Sequence, residues 1–114
     1  MRFFELSEFD CQETGKNEMH PDFLHRLDHL RKVCDFPFII TSGYRDPSHS
    51  VEAKKPIPGT HSQGIAADIR ITNSADRFTI VDQAIYAGFS GIGIADGFVH
   101  LDIRDTTPRI WLYS

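Results

Sequence analysis

His61-Ser62-Gln63-Gly64-Ile65-Ala66-Ala67-Asp68-Ile69-Arg70-Ile71 is the stretch from which the fold is read. Side chains alternate between the two faces of a strand. Ile65, Ala67, Ile69 and Ile71 therefore share an apolar face, while Ala66, Asp68 and Arg70 share the opposite one. The apolar face is expected to pack on helices, and the small Ala66 leaves room beside Asp68. His61 stands seven residues before Asp68, a spacing that would oppose them on one straight strand. The chain must turn between them, and Gly64 is where a turn costs least.

The same logic recurs downstream. From Phe98 to Arg104, Val99, Leu101 and Ile103 make an apolar face, with Phe98, His100 and Asp102 opposite. Each strand thus offers one core face and one face bearing a potential metal ligand. His61, Asp68 and His100 together make a candidate zinc site. Three protein ligands leave a fourth position open for water, as hydrolytic zinc requires. Ordinary readings exist beside this one: Asp68 could pair with Arg45 or Arg70, and Asp102 with Arg104 or Arg109. His20, His25, His29 and His49 read as solvated. His25 and His29 lie four apart on one helical turn, but Arg26 stands where an H-E-x-x-H motif needs Glu.

Around these strands the chain reads as follows. Pro21 to Cys34 is a helix, because Phe23, Leu27, Leu30 and Cys34 recur at helical period and Pro suits the first turn. A second helix runs from Ser74 to Ala87, capped by Asn73 or Ser74, with Asp76 in its first turn and Gly88 at its end. Phe78, Val81 and Ile85 are its expected buried face. Phe36 to Thr41, Ile65 to Ile71, Gly91 to Ala95 and Phe98 to Arg104 read as strands, the last two as a hairpin. A long loop, Asp46 to Thr60, carries Pro47, Pro56, Pro58 and Gly59; loops of this length tend to be functional. The order of elements predicts an α+β domain with a mostly antiparallel sheet and helices on one face.

At 114 residues the chain is expected to be one domain, residues 1–114, and a monomer. With 40% hydrophobic and 25% charged residues its composition is that of a globular protein. A net charge of −4 gives no electrostatic case for nucleic acid. No apolar run approaches the ~20 residues of a membrane span. The opening M-R-F-F-E-L-S-E-F-D does not read as a secretory signal, so cytoplasmic synthesis is expected. Cys11 and Cys34 are expected to be reduced thiols.

Three blocks resemble the zinc peptidases of the D-alanyl-D-alanine carboxypeptidase and L-alanyl-D-glutamate endopeptidase group, whose fold is shared with the hedgehog signalling domain. They are I-T-S-G-Y-R at Ile40 to Arg45, H-S-Q-G-I-A-A-D at His61 to Asp68, and F-V-H-L-D-I-R at Phe98 to Arg104 with R-x-W at Arg109 to Trp111. The opening F-E-L-S-E-F-D-C is similar to the group's N-terminal strand. The closest likeness is to the small wall-lytic domains of phages and bacteria. The resemblance implies that His61, Asp68 and His100 bind Zn2+, and that the substrate is a peptidoglycan stem peptide. An opening without a secretory signal fits holin- or virion-mediated delivery, or a domain of something larger. It also implies that Arg45 projects into the cleft to hold a substrate carboxylate or the developing oxyanion, jobs that suit a planar guanidinium. An ion pair with Asp46 or Asp68 is the plainer role for Arg45.

One departure concerns the catalytic base. Many relatives carry an acid three residues before the last ligand, or a His two before it; here those positions are Gly97 and Phe98. Asp96 and Asp102 are the nearest replacements. Asp96 is preferred as base and Asp102 as support for a ligand. Lys54 and Lys55 in the long loop are available to acidic wall groups, although a solvated charged pair is their plainer reading. The rival function is a zinc-containing module without catalysis, serving wall binding or phage assembly.

Overall fold

Helix α1, Pro21–Cys34, forms where its apolar stripe predicts. Phe23, Leu24, Leu27, Leu30 and Cys34 are buried along one side. The His20 ring nitrogen accepts the Asp22 N–H at 3.2 Å, Pro21 opens the helix, and Asp35 closes it in the left-handed region at φ 58°. The Asp28 carboxylate, on the outer side, accepts the backbone N–H groups of Arg2 and Phe3 and so ties down the start of the chain.

This computed structural model describes residues 1–57 and 59–113; Pro58, within the predicted loop, lies outside them. After α1 come β1 (Ile40–Ser42), a 3-10 turn at Glu52–Lys54, β2 (Ala66–Arg70), α2 (Ser74–Tyr86), β3 (Gly91–Ile94), β4 (Phe98–Asp102) and β5 (Arg109–Leu112). The fold is α+β. Its sheet has the order β1-β2-β4-β3-β5, antiparallel throughout except where β5 runs parallel to β3. The buried faces of α1 and α2 join Ala67 and Ile69 of β2 and Val99 and Leu101 of β4 in one core. Both helices therefore lie on one face of the sheet. The other face is left to the polar residues of β2 and β4.

The structure corrects the sequence reading in four places. The expected strand from Phe36 to Thr41 shrinks to Ile40–Ser42, because Pro37 has no N–H to give a ladder and β1 meets β2 through an irregular register. The opening forms a 3-10 turn at Leu6–Phe9 rather than a strand. There the Glu8 carboxylate accepts the Glu5 N–H at 2.6 Å, which closes the turn. In α2 the buried residues are Ile80 and Ala84, with Val81 partly covered, whereas Phe78 is 73% and Ile85 55% exposed. The helix carries two adjacent apolar stripes, and the one with the small Ala84 is turned inward. Finally β5 was not among the expected strands.

Two close approaches explain why β3 reads Gly-Ile-Gly. A Cβ on Gly91 would lie 2.2 Å from the Asp102 carboxylate, and one on Gly93 within 2.8 Å of both Trp111 and Tyr113. These glycines clear the polar face of the sheet for a charged group and an aromatic wall. Cys11 and Cys34 are buried free thiols, as expected.

Candidate metal centre

His61, Asp68 and His100 converge on the polar face of the sheet. Their nearest donor atoms all lie within 4.8 Å of one another, and all three residues are buried. Asp68 and His100 face each other directly across β2 and β4 in the ladder. His61 joins from a turn that Gly64 allows. Gly64 has φ 74°, and a Cβ there would meet the Glu18 carbonyl oxygen at 2.2 Å, so both backbone angle and space demand glycine.

Each histidine has one nitrogen aimed inward and the other held. His61 Nδ1 lies 2.8 Å from the Gly43 carbonyl, so this nitrogen carries the proton and Nε2 presents a lone pair 3.3 Å from Asp68 Oδ1. His100 Nδ1 lies 3.0 Å from the same Asp68 oxygen, while its Nε2 lies 2.7 Å from Asp102 Oδ2. Asp102 is wholly buried and is clamped in turn by Arg104, through Nε at 2.9 Å and a terminal nitrogen at 2.7 Å. This is the arrangement of a metal site, in which ligating imidazoles donate their far N–H to a carbonyl or carboxylate. Two imidazoles and a carboxylate suit zinc, with positions left over for water and substrate.

The electrostatics agree. Burial pushes the Asp68 carboxyl upward, but hydrogen bonds from His100 and His61 outweigh it and hold the group well below the usual carboxylate range. Asp102 is likewise raised by burial and brought far down by His100 and Arg104. Burial lowers His100, yet the Asp102 and Asp68 carboxylates on its two sides leave it raised above the ordinary histidine value. Both carboxylates therefore stay ionised beside the imidazoles, with Arg45 and Arg104 as their outer counter-charges.

Above the three residues lies a cavity of about 410 Å³, lined among others by Arg45, Lys55, Gln63, Phe98, Arg104 and Trp111. The Trp111 ring centroid is 5.3 Å from that of His100, and the Arg104 guanidinium stacks over Trp111 at 4.9 Å. Arg45 enters from the other side, with one terminal nitrogen 3.9 Å from Asp68 Oδ2 and the other 3.6 Å from Glu52. The projection of Arg45 toward the site and its ion pair with Asp68 therefore coexist.

Of the sequence candidates, His61, Asp68, His100, Asp102 and Arg45 come together. Asp96 does not. It is exposed in the turn between β3 and β4, is absent from the residues lining the cavity, and its carbonyl accepts a bond from Arg77. Lys55 is bound by Glu52 at 2.7 Å and lines the cavity. His49, expected to be solvated, is partly buried and lies 3.1 Å from Glu13.

Glu52 was missed. Its side chain is fully buried and collects Lys55, the Gly59 N–H at 2.9 Å, the Ser62 hydroxyl at 3.0 Å and Arg45. It thereby joins the long loop to Arg45 and to the residue after His61. Nothing in an aperiodic loop marks a buried acid, although two cations, Arg45 and Lys55, and two turn residues, Gly59 and Ser62, within ten positions were a usable hint.

No curated protein matches the chain. Among the described residues no helix is long and apolar enough to cross a membrane. The profile of the peptidase M15 family matches residues 3–102, which takes in every block of the site up to Asp102. The chain belongs to the peptidase M15 family.

Proposed function

We propose that the chain is a zinc-dependent peptidase that hydrolyses an amide bond in a peptidoglycan stem peptide. The observation that carries this reading is the convergence of His61 Nε2, Asp68 Oδ1 and His100 Nδ1 on the floor of a cavity, each imidazole held from behind. Zinc bound there supplies Lewis-acid polarisation of the scissile carbonyl and acidification of water.

The chain's own residues do the rest. Gly43 and Asp102 hold the two ligating rings in one tautomer and one orientation. Arg45 offers its guanidinium to a substrate carboxylate or to charge developing on the carbonyl oxygen. Arg104, Trp111 and Tyr113 wall the cavity on the β5 side. Hydrolysis adds one water across the C–N bond and leaves a new carboxylate and a new amine. Of the two carboxylates considered as proton acceptor, Asp102 is in contact with the site, with both oxygens engaged by His100 and Arg104.

That engagement favours a second reading, a zinc-containing module that binds wall peptides without cutting them. Zinc-loaded protein incubated with purified peptidoglycan decides between them. The peptidase reading expects new amines, abolished by a chelator and restored by zinc. Wall binding with no amine released across several wall chemotypes selects the binding module.

A further inference from the structure

Glu52 is a buried carboxylate that no step of the reaction above uses. Its two oxygens keep different company. Oε1 accepts the Gly59 N–H at 2.9 Å and lies 3.0 Å from the Ser62 hydroxyl. Oε2 lies 2.7 Å from Lys55 Nζ and 3.6 Å from a terminal nitrogen of Arg45. Gly59 permits this close approach, because a Cβ there would lie 2.9 Å from Lys55 Nζ and 3.2 Å from Oε1.

Taking an ionised carboxylate out of water is costly, and pairing often does no more than offset the cost. The Gly59 N–H and the Ser62 hydroxyl would be served as well by the oxygen of a neutral amide. A hold on two cations is what only the charge supplies. Of these, the Lys55 side chain is 41% exposed and can be solvated unaided. Arg45, 22% exposed, is the cation that the charge must place.

The main chain of Arg45 is tied to the turn that carries His61. Its N–H reaches the His61 carbonyl at 3.3 Å, and its own carbonyl accepts the Ser62 hydroxyl at 2.6 Å. The guanidinium lies between Glu52 and Asp68, whose Oδ2 is 3.9 Å from the second terminal nitrogen. Asp68 is a proposed metal ligand, and a dication bound there would draw on its charge. Glu52 is then the anion left to hold Arg45 at the cavity.

Resting on the peptidase reading above, we propose that Glu52 is a positioning residue for Arg45, gripping one edge of the guanidinium and leaving its remaining N–H groups to the substrate. A guanidinium carries five N–H donors in a fixed fork, so one edge can be held while another is offered. Through Glu52 the long loop sets where Arg45 points.

A double-mutant cycle in the zinc-loaded protein, assayed on stem peptides, tests this. Glu52→Gln is expected to lower kcat/KM by about ten- to a hundredfold, the scale of a hydrogen bond to a charged group, at unaltered zinc content. In an Arg45→Ala background the same change is expected to cost less than about twofold, because the group it places is gone. An equal loss in both backgrounds, which a loop staple would give, or no loss in either, overturns the proposal. The guanidinium NMR signals of Arg45, assigned by their loss in Arg45→Ala, give a readout that needs no turnover. Resolved Nη signals, the mark of slowed rotation, are expected in wild type and should collapse to an average in Glu52→Gln. Signals already averaged in wild type, or alike in both proteins, overturn the proposal. Wild type that cleaves no wall peptide defeats the peptidase reading instead, and the guanidinium signals then decide alone whether Glu52 holds Arg45.

Discussion

His100 is held between two carboxylates, with Asp68 Oδ1 3.0 Å from one ring nitrogen and Asp102 Oδ2 2.7 Å from the other. In the proposed site only Asp68 shares the side that would face the metal. Asp102 would act through the imidazole, and Arg104 through Asp102. Asp102→Asn is expected to weaken zinc binding by about 10–100-fold, the usual cost of losing such a support. Asp96→Asn, altered in an exposed turn, should keep both zinc and activity. Competition with a chromogenic chelator, run beside an amine-release assay, reads both variants. Loss of activity in Asp96→Asn at full zinc occupancy would make the turn acid the base.

Gly64 carries the turn that delivers His61. Gly64→Ala must place a side chain at φ 74° and 2.2 Å from the Glu18 carbonyl oxygen. The left-handed angle alone costs about 1–2 kcal/mol, and the collision adds to it. Denaturant melts should show a loss above ~2 kcal/mol, together with weakened zinc binding. A variant as stable as wild type would refute the strain.

Glu52 gives a pH signature. Burial raises its carboxyl, but Lys55, the Gly59 N–H and Ser62 bring it down to about 2 from an ordinary 4.5. A depressed carboxylate stabilises the fold above its ordinary pKa and loses that contribution as pH falls toward the folded value. Glu52→Gln, which leaves buried partners unpaired, is expected to cost about 1–3 kcal/mol at pH 7. The difference from wild type should shrink as pH drops from about 4.5 toward 2. Thermal melts at pH 7, 4 and 3 check it; a constant difference would mean that the charge of Glu52 contributes nothing.

Zinc and protons compete for the histidines. His100 is raised above the ordinary value in the metal-free protein, so at mildly acid pH it holds a proton that zinc must displace. Affinity should therefore fall as pH decreases from 8 to 5.5, and binding should release protons. Calorimetry in two buffers of different ionisation enthalpy measures that release. Zinc affinity independent of pH would contradict the assigned ligands.

Much of this was legible in the chain. Pro21 and the stripe ending at Cys34 bounded α1 because capping and period are local properties. The alternation in Ile65–Ile71 and Phe98–Arg104 put Asp68 and His100 on one face because a strand has only two. The buried side of α2 was not legible: Phe78 and Ile85 are as apolar as Ile80, and tertiary packing chose between the stripes. β5 was hidden because its partner, β3, is parallel and distant from any turn signal. The Glu52 hub and the Gly43 carbonyl behind His61 depend on a loop folding back, and the absence of Asp96 from the cavity lining is a spatial relation that its spacing from His100 does not carry.

The most direct measurement is a zinc titration of metal-free protein with a stem-peptide substrate present. Amine release should rise in proportion to added zinc and level off at one zinc per chain, and His61→Ala should stay at background throughout. Release that ignores zinc, or full zinc occupancy with no release from any wall peptide, would contradict the peptidase.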